Sequence, residues 1–448
     1  MNTTKAKTIN IKDMFGKANL IFTMIIVCMP LIISFIDIVG IGLVNYEPLL
    51  IIFFLCWMLF YAATAKSWIF SIPWKKLIRS PLAIMIFSLY LWTFISVLVT
   101  NTFTTYYLVL LCYLPIGLSA FMMEDKHKSL VINTIIGVIC TCVIMGFFDP
   151  NQDFMPGFYE KSYKWSLQFL NPNHIGYVVA LVETLVVGLF VNTKDIRFKI
   201  YYAIAFCIMG IYIFLNNSFA PITAIFVGLV IYFIYYWITR KKFPLEIMLS
   251  VLILLFFAAL CESVPFLERA RFISSYGYLT ELLCRVDAVL GTDLIGAVGG
   301  VKVEGLETFD RFQLWAMSAQ ILGESFLFGQ GCGFSREFGP HNEFFCIALD
   351  FGFVAGALFI AIFVMCIIYT FKNKNKSKIT VPLMIALCAY YFSGLFGSLT
   401  ARAFMYMIVI LSMLMKENTK RSQQIDSAED ARQDFNNVEL TNETEKDA

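Results

Sequence analysis

The most constraining feature of the chain is a series of apolar runs, each about as long as a helix needs to cross the hydrocarbon core of a bilayer. Hydrophobic residues make up 59% of the sequence and charged residues 15%, against roughly 25% charged residues in soluble domains. A water-soluble core does not require this much apolar sequence, so lipid is the expected solvent. The first run, 20–44, is too long for a signal peptide and is counted as a helix.

The runs predict an all-α polytopic membrane protein with about twelve transmembrane helices and one long outward-facing loop that contains short helices. The predicted helices are 20–44, 48–65, 81–100, 105–123, 129–148, 174–192, 200–216, 219–238, 244–262, 343–371, 379–397 and 402–416. We therefore expect four parts: helices 1 to 9 in 1–262, an extracytoplasmic loop in 263–342, helices 10 to 12 in 343–416, and a disordered cytoplasmic tail in 417–448.

The distribution of Lys and Arg predicts the orientation. If the lysine-bearing N-terminus is cytoplasmic, the inward loops carry 16 Lys and Arg, and the outward loops other than 263–342 carry three: Lys161, Lys164 and Arg402. Cytoplasmic loops carry the excess of positive charge in membrane proteins. Both termini are therefore expected in the cytoplasm, and the two long segments 149–173 and 263–342 on the outer face of the membrane.

Charge and cysteine usage exclude several classes of function. The net charge of +2 argues for neither nucleic acid nor a strongly anionic partner. Most of the 12 cysteines lie inside apolar runs, where they resemble small hydrophobic residues. No Cys or His spacing indicates a metal site. Cys284 and Cys332 both fall in the long loop, and whether they form a disulfide stays open.

The long loop carries the residues that suggest chemistry. Several arginines beside a membrane could bind phosphate through their forked guanidinium donors, and Arg311 and Arg336 are two of them. Arg311 and Trp315 are one turn apart and share a face of a predicted short helix. A Gly-rich turn, Gly329 to Gly333, follows; no strand precedes it, so a dinucleotide site is not expected.

His341 and Asn342 begin the tenth predicted helix, where unpaired backbone N–H groups would favour an anion. A histidine there can remove a proton from a hydroxyl group or hydrogen-bond a phosphate. The alternative is that Asn342 merely caps the helix. Asp350, nine residues later and half a turn out of phase, is not expected to orient His341. As an acid at membrane depth it should face other helices and have a partner.

This C-terminal stretch resembles the O-antigen ligase and O-antigen polymerase superfamily, bacterial membrane enzymes that act on lipid-diphosphate-linked glycans. The residues that carry the resemblance are Arg311, Trp315, the turn 328–333, His341, Asn342, Asp350 and Gly352. A second matching element is Asn171-Pro172-Asn173-His174 at the outward start of the sixth predicted helix. Two positions depart from the pattern: Ser218-Phe219-Ala220 stands where many relatives have Ser-Arg-Gly, and Ala355 replaces a glycine.

The resemblance implies an inverting glycosyl transfer without metal, nucleotide or other cofactor, from a donor glycan on undecaprenyl diphosphate. It assigns His341 to deprotonation of the acceptor hydroxyl and Arg311 to the diphosphate, with Arg402 as our choice for a second arginine and Arg336 as a further candidate. The substrate groove would be lined by Trp315, Asn342, Asn173 and His174, although Asn173 and His174 also fit an ordinary helix start. The expected partners are the lipid-linked glycan and membrane lipids, with a chain-length regulator and a flippase as candidates, and no nucleic acid.

The motifs do not separate a polymerase, which uses another lipid-linked repeat unit as acceptor, from a ligase, which uses the lipid A core. We favour a polymerase because sequence divergence outside the motifs, an Ile- and Phe-rich composition and the absent Ser-Arg-Gly are more usual there. A glycolipid transporter would spread charged residues along helix interiors, whereas membrane acids are few in this chain, with Glu183 in the sixth and Asp350 in the tenth predicted helix. A non-catalytic scaffold is the other alternative.

Overall fold

The computed structural model describes residues 77–78, 80–104, 107–108, 110–111, 114, 125–148, 155–156, 163–164, 172–216, 219–240, 243–263, 309–372 and 379–395, and the single positions 21 and 55. The helices predicted at 20–44, 48–65, 105–123 and 402–416, and the predicted tail, lie outside this part or touch it at isolated positions. The count of about twelve helices therefore stays a prediction.

The described chain is helical apart from one short strand pair. Its helices are α1 (Pro81–Thr100), α2 (Asp125–Phe148), α3 (Pro172–Asn192), α4 (Ile196–Asn216), α5 (Phe219–Arg240), α6 (Leu245–Ser263), α7 (Phe309–Glu324), α8 (Phe334–Phe338), α9 (Glu343–Phe351), α10 (Phe353–Lys372) and α11 (Thr380–Ser393). The strands β1 (Met155–Pro156) and β2 (Tyr163–Lys164) pair antiparallel between α2 and α3.

Four helices in the described part are long and apolar enough to cross a membrane: Pro81–Thr100, Ile196–Leu215, Ala220–Thr239 and Phe353–Lys372. Shorter apolar stretches occur in α2, α3, α6 and α11. Many large apolar side chains on these helices are exposed, among them Leu91, Leu252 and Trp237. Exposed apolar residues in this number are expected where lipid surrounds the helices, so the chain is a membrane protein.

Two helices form the centre of the bundle. Every residue of α11 except Phe392 is buried, and α3 is buried continuously from Gly176 to Leu189. A helix that is apolar and buried on all sides belongs in the interior. α3 and α11 pack on each other and on α5, and α4 covers α3.

α3 and α11 run antiparallel. Pro382, near the start of α11, lies against Gly188, near the end of α3. Ala389, further along α11, and Thr184, one turn before Gly188 in α3, both lie against Gly228 of α5. The start of α3 and the end of α11 therefore lie at the same end of the bundle. We call this the site end, because Leu395, just beyond α11, accepts a hydrogen bond from Asn342 there.

The tenth predicted helix, 343–371, is not continuous, and that prediction was wrong. The chain forms α9, leaves helical geometry at Gly352, where φ is 88°, and resumes as α10. A Cβ atom on Gly352 would overlap the backbone carbonyl of Leu327. The break thus arises from a close approach of the Gly-rich turn, which hydropathy does not reveal.

Candidate active site

Asn342 is the N-cap of α9. Its Oδ1 accepts hydrogen bonds from the backbone N–H groups of Phe344 and Phe345, at 3.0 and 3.3 Å. Its Nδ2 donates to the carbonyl oxygen of Leu395 at 3.2 Å. Both the capping role and the anchoring to the end of α11 are structural, and the side chain is buried.

The N–H groups at the start of α9 are therefore already occupied. Glu343 N–H donates to the carbonyl oxygen of Gly394 at 2.8 Å, and Asn342 takes the next two. The prediction that unpaired N–H groups here would favour an anion was wrong, because a side-chain cap and a neighbouring carbonyl satisfy them. Only the dipole of α9 remains to act on an anion.

His341 lies immediately before this cap and is exposed. Its φ of 51° places it in the left-handed region, which histidine adopts more readily than most residues but which remains uncommon. Such conformations persist where the surrounding structure holds them, and they are frequent at functional sites. The neighbours of His341 supply that restraint, with Asn342 on one side and Pro340 on the other.

Trp315 of α7 holds Pro340, the residue before His341. Its indole N–H donates to the carbonyl oxygen of Pro340 at 3.1 Å, and its ring packs against Phe345 with centroids 6.3 Å apart. Arg311 lies one turn earlier in α7; the described part includes its backbone and not its side chain. The predicted short helix with Arg311 and Trp315 is confirmed, and it packs directly beside the His341 segment.

The Gly-rich turn docks onto the end of α9 through backbone contacts. Gln330 N–H donates to the carbonyl oxygen of Leu349 at 2.7 Å, and Gly331 N–H donates to that of Asp350 at 3.2 Å. Gly329, with φ of 71°, lies so close to Leu349 that a Cβ atom would not fit. These glycines permit close approach of two backbone segments, which explains the motif without a nucleotide.

Asp350 is the carboxylate that holds α8 in place. Its Oδ1 accepts a hydrogen bond from Ser335 N–H at 2.7 Å, and the side chain is 3% exposed. The expectation that Asp350 would face other elements and have a partner is confirmed. The next residue in α8 is Arg336, whose side chain lies outside the described part. Asp350 therefore positions the short helix that carries Arg336.

Comparison with known proteins bears on this segment directly. Residues 204–360 match the model of a family described as O-antigen ligase. This match supports the resemblance of the chain to the O-antigen ligase and polymerase superfamily. No curated protein matches the chain. The matched stretch includes α7, α8 and α9 and ends within α10, so the segment around His341 lies inside the match, whereas α1, α3 and α11 lie outside it.

The match connects the segment 204–360 with membrane enzymes of O-antigen polysaccharide synthesis. Within the described part of the chain, no three His, Cys, Asp or Glu side chains cluster closely enough to hold a metal ion.

The sequence analysis did not include α1 in the candidate site, yet α1 contacts the segments that form it. Trp92 Nε1 donates to the carbonyl oxygen of Phe351 at 3.1 Å, and Ser96 Oγ donates to that of Phe328 at 2.6 Å. Just beyond α1, Thr102 Oγ1 accepts from Cys332 N–H at 2.9 Å. Trp92 and Ser96 lie four residues apart in an apolar helix. Two side chains with hydrogen-bond donors at this spacing share one face of the helix, and they could have indicated that this face contacts protein.

Glu343 is a second residue that the family pattern did not single out. It is 3% exposed, lies two residues after His341, and is the first residue of α9. Its carboxylate interacts electrostatically with the buried Tyr391 of α11. A negative charge in the first turn is favoured by the helix dipole, so Glu343 adds a buried acid beneath the His341 segment.

The remaining predicted residues are placed less completely. Asn173 and His174 lie at the start of α3, which is at the site end, and Pro172 as first helical residue fits an ordinary helix start. Their side chains lie outside the described part, as does the whole of Arg402. Cys332 is buried against Thr104, with Oγ1 and Sγ 3.8 Å apart; Cys284 lies outside the described residues, so their pairing is untested.

Proposed function

We propose that the protein is an inverting glycosyltransferase that polymerises undecaprenyl-diphosphate-linked repeat units of a surface polysaccharide, such as O-antigen, capsule or exopolysaccharide. The reaction would occur on the outer face of the cytoplasmic membrane, with both termini inside. The observation that carries the proposal is the exposed His341 on a backbone restrained by Trp315 through Pro340 and by the Asn342 cap. A base held in one geometry is what positioned proton transfer requires.

In this mechanism an imidazole nitrogen of His341 takes the proton of an acceptor sugar hydroxyl while the hydroxyl oxygen attacks the anomeric carbon of the donor. The bond between that carbon and the diphosphate oxygen breaks, and undecaprenyl diphosphate leaves with the electron pair. Attack opposite the leaving group inverts the anomeric centre. The proton then passes from the exposed imidazole to solvent. The diphosphate is a good leaving group, so the step needs neither metal nor nucleotide.

Charge on the diphosphate would be stabilised by arginine side chains, because the N–H groups of α9 are already used. Arg311 follows from its place one turn before Trp315, and Arg336 from its place next to Ser335 in α8. Arg402 follows Leu395, the residue that binds Asn342, in sequence. Forked guanidinium donors suit diphosphate oxygens. Trp315, Asn342, Asn173 and His174 would complete the groove for the glycan.

The ligase reaction is the alternative, and the match to a family described as O-antigen ligase does not distinguish it from the polymerase reaction. The two reactions share donor and chemistry and differ in the acceptor. We prefer the polymerase because Ser218-Phe219-Ala220 lacks the arginine that many relatives have at this place. Deleting the gene separates them: single repeat units attached to the lipid core indicate a lost polymerase, whereas polymers stranded on undecaprenyl diphosphate indicate a lost ligase.

The role of His341 is tested by His341→Ala. The variant should abolish extension of the glycan on a polysaccharide gel while the protein inserts and accumulates normally. His127→Ala is the matched control, since His127 lies in the first turn of α2, at the end predicted to face the cytoplasm, and should leave banding unchanged. Wild-type-like banding from His341→Ala would remove the histidine from its role. A chain-length regulator and a flippase would be sought by co-purification with the active protein.

A further inference from the structure

The Gly-rich turn lies beside the last turn of a helix that is long enough to cross the membrane. α1 is a 20-residue candidate span, and at 1.5 Å per residue its length of about 30 Å matches the hydrocarbon core. Ser96, which binds the carbonyl oxygen of Phe328, lies one turn, or about 6 Å, before the end of α1 at Thr100. The turn around Phe328 is therefore level with the last turn of the span and not beyond it.

The second span gives the same level. Phe353 is the first residue of α10, another 20-residue candidate span. The ring of Phe326 stacks on that of Phe353 with centroids 4.7 Å apart, and Phe353 N–H donates to the carbonyl oxygen of Phe326 at 2.8 Å. The turn thus contacts two spans, α1 at its C-terminal end and α10 at its N-terminal end, which lie at the same level.

Apolar side chains of the turn are exposed on the surface of the protein at this level. Phe326 is 49% exposed, Leu327 51% and Phe353 48%. On the last turn of α1, Leu98 is 59% exposed. Since the outward surface of α1 at this depth faces lipid chains, the patch formed by Phe326, Leu327 and Phe353 continues a lipid-facing surface.

The backbone of the turn is hydrogen-bonded as irregular structure at membrane depth must be. The N–H groups of residues 329 to 331 donate to the carbonyl oxygens of Ser325, Leu349 and Asp350. Cys332 N–H donates to Thr102 Oγ1, and the carbonyl oxygen of Phe328 accepts from Ser96. A turn in water would not need a protein partner for each of these groups.

We propose that residues 325–332 form a re-entrant turn inserted in the leaflet at the site end, with Phe326 and Leu327 in contact with lipid acyl chains. The occupant of the patch is the bilayer itself, because the patch is continuous with two spans. The segment predicted as an extracytoplasmic loop, 263–342, therefore returns into the membrane before His341. The inserted turn sets the depth of α8 and His341 relative to the lipid surface. The proposal does not depend on which reaction the protein performs.

Photo-crosslinking in nanodiscs of phosphatidylethanolamine and phosphatidylglycerol tests the insertion without measuring activity. Benzoylphenylalanine replaces Leu327 in the full-length protein, and intact mass spectrometry after irradiation detects lipid adducts. Leu98 is the lipid-facing control. Ala316 is the control outside the candidate spans, since it is exposed on α7, which is not among the apolar helices that could cross the membrane, and it lies about 13.5 Å along the helix from Ser325. Phe326→benzoylphenylalanine is a second variant that keeps an aromatic ring on Phe353.

We expect lipid adducts at position 327 in a yield similar to that at Leu98 and at least about tenfold above that at Ala316, because acyl chains are excluded from the water layer. Lipid adducts at Leu98 but at neither 326 nor 327 would overturn the proposal. Crosslinks from 327 to another part of the chain would overturn it as well, since they would show that protein, and not lipid, covers the patch.

Discussion

Trp315 donates its indole N–H to the carbonyl oxygen of Pro340 across 25 residues of sequence. This contact joins α7 to the residue immediately before His341, while Asn342 joins the residue after it to the end of α11. The histidine is thus held between two elements that are distant in sequence. Arg311, one turn before Trp315, is carried to the same place by the same helix.

Trp315→Phe should lower activity more than stability. Phenylalanine keeps packing against Phe345 but removes the donor to Pro340, which costs about 1 kcal/mol of unfolding free energy. A shift of His341 by about 1 Å would lower the rate of glycan transfer about tenfold or more. Transfer of labelled repeat units and thermal unfolding in detergent are the measurements. Trp237→Phe, on the exposed surface of α5, is the control and should change neither.

Asp350 should act through α8, with a clear order among its variants. Asp350→Ala leaves the buried N–H of Ser335 without its acceptor and should cost about 1–3 kcal/mol. Asp350→Asn keeps an oxygen in place and should retain most of the stability. If Arg336 binds the donor, Asp350→Ala raises the KM for the lipid-linked donor more than it lowers kcat. Equal loss in both variants would show that the charge, and not the hydrogen bond, matters.

The positions of the helices could be predicted from apolar runs because lipid imposes one length on every span. α1 occupies the predicted 81–100, and α3 begins two residues before the predicted 174. Helix starts that consist of polar residues were predicted less accurately, because a hydropathy pattern detects only the apolar part of a helix. α2 begins at Asp125 and includes Lys126 and Lys128, ahead of the predicted 129.

The tertiary contacts of the site could not be predicted in the same way. Glycine is common in membrane helices, so Gly352 gave no sign of a break; the break depends on the carbonyl of Leu327, which is remote in sequence. The spacing did place Arg311, Trp315 and His341 in one segment. It could not show that Gly394 would occupy the N–H of Glu343, because that depends on how α11 ends.

Asn342 should show separable capping and anchoring. Asn342→Asp keeps the oxygen that accepts from Phe344 and Phe345 but loses the donor to Leu395, whereas Asn342→Ala loses both. We expect Asn342→Ala to cost about 1–2 kcal/mol, with Asn342→Asp in between, and glycan transfer to fall in the same order. Ser80→Ala removes the cap of α1, far from His341 along the chain, and should reduce thermal stability without a specific loss of transfer.

Gly352→Ala should prevent normal accumulation of the protein in the membrane. The added Cβ atom would overlap the carbonyl of Leu327, and a φ of 88° is strained for alanine, at a cost of about 1–3 kcal/mol before the overlap is counted. Gly323→Ala is the matched control, because nothing lies within 4 Å of its Cβ position in α7 and alanine favours a helix. Immunoblots of membrane fractions compare the two. Equal accumulation would contradict the close contact between the turn and the helix break.

Glu183 should respond to substitution in the opposite sense from Asp350. It is fully buried in α3, and neither carboxylate oxygen has a hydrogen-bond partner among the described residues. An unsatisfied buried polar group is costly, and replacing it with an apolar side chain of similar size relieves that cost. Glu183→Leu should therefore raise the midpoint of thermal unfolding in detergent by an amount equivalent to about 1–3 kcal/mol, whereas Asp350→Leu should lower it. A loss of stability in Glu183→Leu would mean that the carboxyl group has a partner in the native membrane, and comparison with Glu183→Gln would then show whether that partner requires the acid.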